Sequence, residues 1–179
     1  MRIIGGIYKS RVLAEFAGNN VRPTSDRARE ALFNILAFSV RGARVLDLFA
    51  GSGALGLESL SRGAKEVVFN DVAKSSIAVL KKNIAMLKAE NTRVYNYDFA
   101  TCLDCVTGAF DLIFLDPPYA KDFGVCALEK IVRRGLLSEN GIAVYECDKP
   151  FESEIAGLEK YDERRYGKAY LSFFRLKKE

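Results

Sequence analysis

The most unusual stretch of the sequence is LIFLDPPY, at positions 112–119. Four apolar residues typical of a buried strand run directly into Asp116, Pro117, Pro118 and Tyr119. A carboxylate in such a place is costly to desolvate unless something binds it, and two prolines remove two backbone donors and stiffen the chain. The pattern predicts that a fixed carboxylate, bare carbonyl groups and an aromatic ring lie together at the end of a strand.

A glycine-rich loop after an earlier strand is a second candidate site. The residues GSGALG at 51–56 match the GxGxxG pattern, in which glycines let the backbone turn tightly and approach a ligand before a helix begins. Asp71 ends the next strand, where its carboxylate can accept both hydroxyl groups of a ribose. These residues predict a nucleoside site, and taken alone they keep a nicotinamide-dependent dehydrogenase open.

Three acidic residues favour a cationic nucleoside over a dinucleotide. Asp47, Asp71 and Asp98 lie at the ends of three successive predicted strands. Asp47 precedes the glycine loop at a position where a dinucleotide-binding fold normally has an apolar residue, and its carboxylate can hold a cationic amino group. S-adenosylmethionine carries such a group and has no phosphate, so it suits these acids better. A dinucleotide site would also give the DPPY residues no role.

Methyl transfer to an amino group gives the DPPY residues a chemical role. An exocyclic amine on a nucleobase is a poor nucleophile because its lone pair is delocalised into the ring. Hydrogen bonds from this amine to the Asp116 carboxylate and the Pro117 carbonyl would aim the lone pair at a methyl donor, so catalysis would be mostly orientation and charge complementarity. Tyr119 can stack on the base, which must be unpaired or flipped to enter.

Alternating strands and helices must position these residues. Strands are predicted at 43–49, 66–71, 92–98, 110–116 and 141–146. Helices are predicted at 54–62, 73–88 and 122–135. The alternation predicts an α/β fold, Rossmann-like and doubly wound, with a mostly parallel sheet. Near the C-terminus, Gly167-Lys168 separates two strand-like runs and predicts an antiparallel hairpin.

The first 41 residues differ from the rest in pattern and charge. IIGGIYKSRVLAEF predicts a short β-hairpin, and a helix with an apolar stripe follows the N-cap residues Thr24 and Ser25. Residues 1–41 contain seven Lys and Arg and three acids, whereas 42–179 contain twenty of each, so this segment carries the whole net charge of +4. We expect a basic, RNA-facing extension at 1–41 and a methyltransferase domain at 42–179. The expected RNA contacts are Arg2, Lys9, Arg11, Arg22, Arg27 and Arg29.

The composition excludes several kinds of chemistry. The chain has no histidine, so it has no Ser-His or Cys-His nucleophile pair. Cys102 and Cys105 form a CxxC pair without a second pair at ligand spacing, and no metal site is expected. The sequence has no apolar run of membrane-span length and no signal peptide, so we expect a cytoplasmic protein with no membrane partner, and a monomer.

Longer motifs resemble those of a known family. DLFAGSGALGLE and FLDPPY resemble Rossmann-type amino-group methyltransferases, and RIIGGIYKSRVL, RPTSDRAREALFNIL and VLDLFAGSGALGLESLSRGA resemble the RsmD family of bacterial 16S rRNA guanine-N2 methyltransferases. The resemblance covers nearly the whole chain and is weakest after about residue 150. It implies methylation of N2 of guanine 966 in 16S ribosomal RNA, either as free RNA or within a partly assembled small subunit.

The resemblance also implies roles for individual residues. S-adenosyl-L-methionine would be bound by the glycine loop and the residues around it, namely Asp47, Ala50, Gly51, Ser52, Gly53, Asp71, Asp98 and Phe99. Asp116, Pro117, Pro118 and Tyr119 would hold the guanine. Two further alternatives stay open: a DNA adenine-N6 methyltransferase, which shares DPPY but usually carries a target-recognition domain, and a non-catalytic RNA-binding module.

Overall fold

The computed structural model describes residues 1–15, 26–118 and 123–178, so Arg22, Thr24, Ser25 and Tyr119 lie outside the described residues. The helices in these ranges are α1 (Asp26–Ile35), α2 (Ala37–Val40), α3 (Ala54–Ser61), α4 (Lys74–Leu87), α5 (Phe99–Cys105) and α6 (Phe123–Arg133). The strands are β1 (Arg44–Asp47), β2 (Glu66–Asn70), β3 (Thr92–Tyr95), β4 (Phe110–Leu115), β5 (Leu137–Cys147), β6 (Leu158–Tyr166) and β7 (Ala169–Leu176).

All seven of these strands form one sheet, in the order β3-β2-β1-β4-β5-β7-β6. β1 to β5 pair in parallel, whereas β7 runs antiparallel to both β5 and β6. The strand order reverses between β1 and β4, and ligands of such sheets bind beyond the carboxyl ends of the strands at this switch point. The topology confirms the predicted Rossmann-like fold and its C-terminal hairpin, which turns at Gly167 and Lys168.

Helices cover both faces of the sheet, as the continuous apolar runs of its parallel strands require. On one face, Leu57 of α3 and Leu80 of α4 belong to a buried cluster with Phe114 of β4. On the other face, Leu128 of α6 belongs to a second cluster with Ile113. Neighbouring residues of β4 therefore serve opposite faces, because side chains alternate along a strand.

The N-terminal extension packs on the same face of the sheet as α3 and α4. Ile3 and Leu13 are buried in the cluster that contains Leu57 and Phe114. The predicted hairpin is present in reduced form, as a single antiparallel bridge between Arg2 and Val12. The extension is therefore attached to the domain by a shared apolar core.

Two elements depart from the sequence-based prediction. The residues after β3 form the short helix α5, and Asp98, which the sequence places at a strand end, is the N-cap of this helix. The Asp98 carboxylate accepts from the Thr101 N–H at 3.0 Å. β5 begins at Leu137 instead of residue 141, and its register against β4 shifts near Phe110. The cap by Asp98 accounts for the helix that follows β3. β5 is longer than predicted because Leu137 already pairs with Phe110, before the register shift.

Neither a membrane span nor a metal centre is found within the described ranges. No helix there is long and apolar enough to cross a membrane. No group of three or more His, Cys, Asp and Glu side chains there is placed to hold a metal ion. In the CxxC pair, Cys105 is exposed, whereas burial raises the pKa of the Cys102 thiol to about 12. Cys102 is therefore a poor source of thiolate and serves as a core residue.

Candidate active site

Four carboxyl groups lie at the carboxyl ends of four adjacent parallel strands. We call them the strand-end acids: Asp47, Asp71, Asp116 and Glu146. Asp47 pairs with Phe69 of β2 and Phe114 of β4. Asp71 lies two residues after Phe69, and Asp116 lies two residues after Phe114. Phe114 also pairs with Val144 of β5, and Glu146 lies two residues after Val144. Because side chains alternate along a strand, all four acids belong to one face, the face that α3, α4 and the extension cover.

The strand-end acids repel one another in a poorly hydrated place. Burial raises the pKa of the Asp116 carboxyl well above its usual range, with further increases from Glu146 and then Asp47. Burial also raises the pKa of Asp47 to about 7, and repulsion from Asp71 adds to this effect, although a hydrogen bond from the Gly56 N–H opposes it. Accumulated negative charge of this kind favours a cationic ligand.

Asp71 joins the glycine loop to the start of α4. One of its carboxylate oxygens accepts from the Gly51 N–H and the other from the Ala73 N–H, both at 2.8 Å. These two donors fix the orientation of the carboxylate. Each oxygen keeps a second lone pair, so the carboxylate can still accept ribose hydroxyl groups.

The loop itself is closed on one side and open on the other. Gly51 and Gly53 both have positive φ, +54° and +87°, which side chains rarely tolerate. A Cβ at Gly53 would lie 2.4 Å from a methyl carbon of Leu80 on α4. A Cβ at Gly51 would meet no heavy atom of the described residues within 4 Å. A ligand can therefore approach the backbone closely at Gly51.

Asp47 and Ala50 hold the loop to the sheet. The Asp47 carboxylate is 3% exposed and accepts from the Gly56 N–H at 2.9 Å, which fixes the first turn of α3 to the end of β1. The Ala50 N–H donates to the Asn70 carbonyl at 2.8 Å. Ser52 is also buried. The structure thus gives Asp47 a loop-positioning contact that the sequence did not reveal.

Asp98 and Phe99 lie where β3 leads into α5. The Asp98 carboxylate accepts from the Thr101 hydroxyl at 2.6 Å and from the Thr101 N–H, and these bonds lower its pKa. The Phe99 ring centroid lies 5.8 Å from that of Phe49 and 5.2 Å from that of Phe123. The structure shows Asp98 as a helix cap and Phe99 in an aromatic group, and their contact with a cofactor stays a prediction.

Asp116 begins the DPPY stretch at the switch point of the sheet. Asp116 keeps some exposed surface as a residue although its carboxyl group is buried, Pro117 is buried and Pro118 is exposed. The structure therefore brings Asp116 beside Asp47, as the sequence predicted for the two motifs. Tyr119 lies outside the described residues, so its stacking role stays a prediction.

The predicted RNA contacts divide into two groups. Arg2, Lys9, Arg11 and Arg27 are exposed, and Arg22 lies outside the described residues. Arg29 is only 1% exposed, and its guanidinium donates to the Arg2 carbonyl and, at 2.9 Å, to Asp26. This burial contradicts the prediction that Arg29 contacts RNA. The error arose because charge was counted without the helical face on which each residue lies.

Sequence reasoning missed two buried polar residues near the site. Glu146 is 5% exposed and ends the predicted fifth strand, so the strand-end rule that found Asp47 and Asp71 could also have found it. Asn83 on α4 is fully buried. It lies three residues after Leu80 on the apolar side of the helix, and a polar residue at such a position signals a buried hydrogen bond.

The fold and the site together are those of a Rossmann-like methyltransferase. The strand order with β7 antiparallel between β5 and β6, the glycine loop after β1 and the acid after β2 are its features. A family model described as "Conserved hypothetical protein 95" matches residues 1–175. The chain belongs to this family, which confirms the resemblance to the RsmD family.

Relatives named for their function support the same grouping. The chain is 40% identical over 155 residues to ribosomal RNA small subunit methyltransferase D of Escherichia coli, covering 87% of this chain and 75% of the relative. The protein of that name from Haemophilus influenzae is 37% identical, covering 83% and 79%.

Solved structures show the same fold along nearly the full chain. The Escherichia coli protein yhhF superposes with a TM-score of 0.90 at 33% identity, covering 98% of this chain and 97% of that chain. A hypothetical protein of Thermus thermophilus superposes with a TM-score of 0.81 at 30% identity, covering 98% and 99%.

Proposed function

We propose that this protein transfers the methyl group of S-adenosyl-L-methionine to the exocyclic N2 amine of a guanine in 16S ribosomal RNA, at the family position guanine 966. The observation that carries the proposal is the convergence of the strand-end acids with the DPPY stretch at the switch point of the sheet. Relatives named small subunit rRNA methyltransferases support the choice of RNA.

The residues at the glycine loop fit this cofactor. Its sulfonium and amino groups are cationic, and they suit the acidic edge of the sheet, where burial and neighbouring acids raise the pKa values of Asp47 and Asp116. Asp71 is oriented to accept the ribose hydroxyls, and Gly51 is open to close approach. Ala50, Ser52 and Gly53 would line the loop. The bound sulfonium supplies an activated methyl group, so the protein needs no strong base.

Asp116 would act on the substrate side of the pocket. Its carboxylate and the Pro117 carbonyl accept hydrogen bonds from the guanine amine, and Tyr119 stacks on the ring. As the N–C bond forms, the C–S bond breaks and its electron pair stays on sulfur, while the nitrogen becomes cationic. Since burial and Glu146 raise the pKa of Asp116, its carboxylate can accept the proton that this nitrogen loses.

The N-terminal extension would bring RNA to the site. It packs on the face of the sheet to which the strand-end acids belong, and it exposes Arg2, Lys9, Arg11 and Arg27. We propose residues 1–41 as the RNA-facing unit and 42–179 as the catalytic unit, acting as a monomer in the cytoplasm on free RNA or on a partly assembled subunit.

A methylation assay tests the proposal directly. The purified chain is incubated with methyl-labelled S-adenosylmethionine and one of three substrates: free 16S rRNA, small subunits or genomic DNA, each from cells that lack the modification. Nucleoside analysis should find N2-methylguanosine in one of the RNA samples. N6-methyladenine in DNA would support the DNA alternative instead, and no transfer to any substrate would contradict the proposal.

A further inference from the structure

Asn83 links two segments that are far apart in the sequence. Its amide oxygen accepts from the Ala14 N–H at 2.7 Å, and its amide nitrogen donates to the Ala14 carbonyl at 3.1 Å. The same nitrogen donates to the Ser52 carbonyl at 2.9 Å. One fully buried side chain thus binds both backbone groups of a residue in the N-terminal extension and a carbonyl in the glycine loop.

Other contacts attach the glycine loop to α4. Asp71 bonds the loop at Gly51 and the helix start at Ala73. Leu80, three residues before Asn83, packs against Gly53 so closely that a Cβ there would clash. A ligand that fixes the loop must therefore also fix the part of α4 that carries Asn83.

We propose that Asn83 is a positioning residue that couples the cofactor site to the RNA-facing extension. Ligand binding at residues 51–53 fixes the Ser52 carbonyl, and the hydrogen bonds of Asn83 then restrict Ala14 in the extension. By linkage, RNA bound to the extension raises the affinity for the cofactor by the same factor by which the cofactor raises the affinity for RNA. This inference rests on the proposed function.

Hydrogen exchange followed by mass spectrometry tests the coupling without turnover. The probe is S-adenosylhomocysteine, the demethylated form of the cofactor. In the wild type it should slow exchange in the segment that contains Leu13 and Ala14 by at least about fivefold, the low end of typical coupling between sites. Asn83→Ala should remove this slowing, and so should Asn83→Ser, a milder change that keeps a polar group if the alanine variant is unstable.

Ser61→Ala is the matched control. It shows what happens when the extension is held less tightly but the contacts of Asn83 are intact. The Ser61 hydroxyl accepts from the Tyr8 N–H at 2.9 Å and donates to the Gly5 carbonyl, so it holds the extension on α3, beyond the glycine loop. This variant should exchange faster in the extension with and without ligand, yet it should keep the ligand-dependent slowing at Leu13 and Ala14.

The possible results separate the coupling from the proposed function. Absence of protection at residues 50–56 in the wild type would contradict the cofactor site itself, and the inference would fall with it. Protection of that loop with unchanged exchange at Ala14 would overturn the coupling alone. Slowing that persists in Asn83→Ser, or that is lost in Ser61→Ala, would also overturn it.

Discussion

Two groups of buried charges in this protein differ in their balance. The strand-end acids are ionisable groups of one sign, and burial with repulsion from neighbouring acids raises the pKa values of Asp47 and Asp116. Under the N-terminal extension, by contrast, the fully buried Glu58 faces Arg62 at 2.7 Å and Arg29 at 4.0 Å. We call Glu58, Arg29 and Arg62 the extension cluster.

The extension cluster has the properties of a structural element. Glu58 also accepts from the Ile4 and Gly5 N–H groups, both at 2.8 Å, so its carboxylate joins α3 to the extension. Burial lowers the pKa of Arg29, while the charges of Glu58 and Asp26 oppose that effect. The charges of this cluster are opposite in sign and offset one another without a ligand, although the Arg29 Nε and Nη1 atoms have no hydrogen-bond partner among the described residues.

The strand-end acids have the properties of a binding site. Like charges held together with little water destabilise the folded chain until a cation reduces their repulsion. The comparison teaches that burial of charge alone does not locate a site. The sign and the balance of the buried charges distinguish an internal ion pair from a cation pocket.

Removal of the charge on Asp116 should have the largest effect. We expect Asp116→Asn to lower kcat for methyl transfer by roughly 10²–10³-fold, because a charged group that acts in the transition state is lost. The variant should still fold and bind S-adenosylmethionine, and its free energy of unfolding at neutral pH should rise because one of the mutually repelling strand-end acids is neutralised. The control is Asp111→Asn at the start of the same strand, and near-normal turnover in Asp116→Asn would show that DPPY is only a rigid loop.

Breaking the extension cluster should affect stability instead of chemistry. Glu58→Gln should lower the free energy of unfolding by about 3 kcal/mol, because it removes the fully buried carboxylate that faces both Arg29 and Arg62 and leaves Asp26 as the remaining described counter-charge of Arg29. Glu159→Gln, which breaks the exposed pair with Arg175, should cost less than about 1 kcal/mol. Urea denaturation measures both free energies of unfolding. Equal losses in the two variants would contradict the view that the buried ion pairs of Glu58 stabilise the protein more than the exposed pair of Glu159 and Arg175.

Asp47→Asn should stabilise the ligand-free protein at neutral pH. The pKa of Asp47 is raised from 3.8 to about 7 by folding, so the unfolded chain releases its proton first and wild-type stability falls as pH rises from 4 to 7. The variant should lose the part of this pH dependence that Asp47 causes, while the part due to Asp116 remains. It should gain more than about 1.4 kcal/mol at pH 7, the equivalent of one pKa unit. Asp148→Asn, at an exposed position, serves as control, and an unchanged pH profile in Asp47→Asn would contradict the account.

Single exposed arginines should have the smallest effects. Arg11→Ala and Arg27→Ala should each reduce the slope of log affinity for RNA against log salt concentration by about 1. Arg175→Ala on β7 should leave the slope unchanged, since that arginine pairs with Glu159. Filter binding across a salt series measures these slopes. An unchanged slope in both Arg11→Ala and Arg27→Ala would contradict the proposal that these two arginines contact RNA.

The parallel strands and the strand-end positions were predictable because they follow from local patterns. The apolar runs before Asp47, Asp71 and Asp116 predict buried parallel strands, and parallel strands bring their carboxyl ends to one edge. The face on which each charge of the extension lies was missed, because the charges were counted without their positions on the helix. Arg27 and Arg29 differ by two residues on one helix, yet the first is exposed and the second is buried.

Contacts between distant segments were beyond sequence reasoning. Asn83 meets Ala14 and Ser52 only after α4 has packed against both the loop and the extension. The same limit explains why Asp98 was assigned to a strand end. The length of β3 is set by its pairing with β2, which ends at Tyr95, and this pairing is not visible in the local sequence. Asp98 lies beyond it and caps α5 through Thr101.

Proton release on ligand binding tests the central claim most directly. Titration calorimetry at pH 7 in two buffers of different ionisation enthalpy compares S-adenosylmethionine with S-adenosylhomocysteine, which lacks the sulfonium charge. Because a bound cation lowers the raised pKa values of Asp47 and Asp116, S-adenosylmethionine should release a larger fraction of a proton than its neutral product. Equal release by the two ligands, or no binding of either, would contradict the view that the strand-end acids form a cation pocket for a methyl donor.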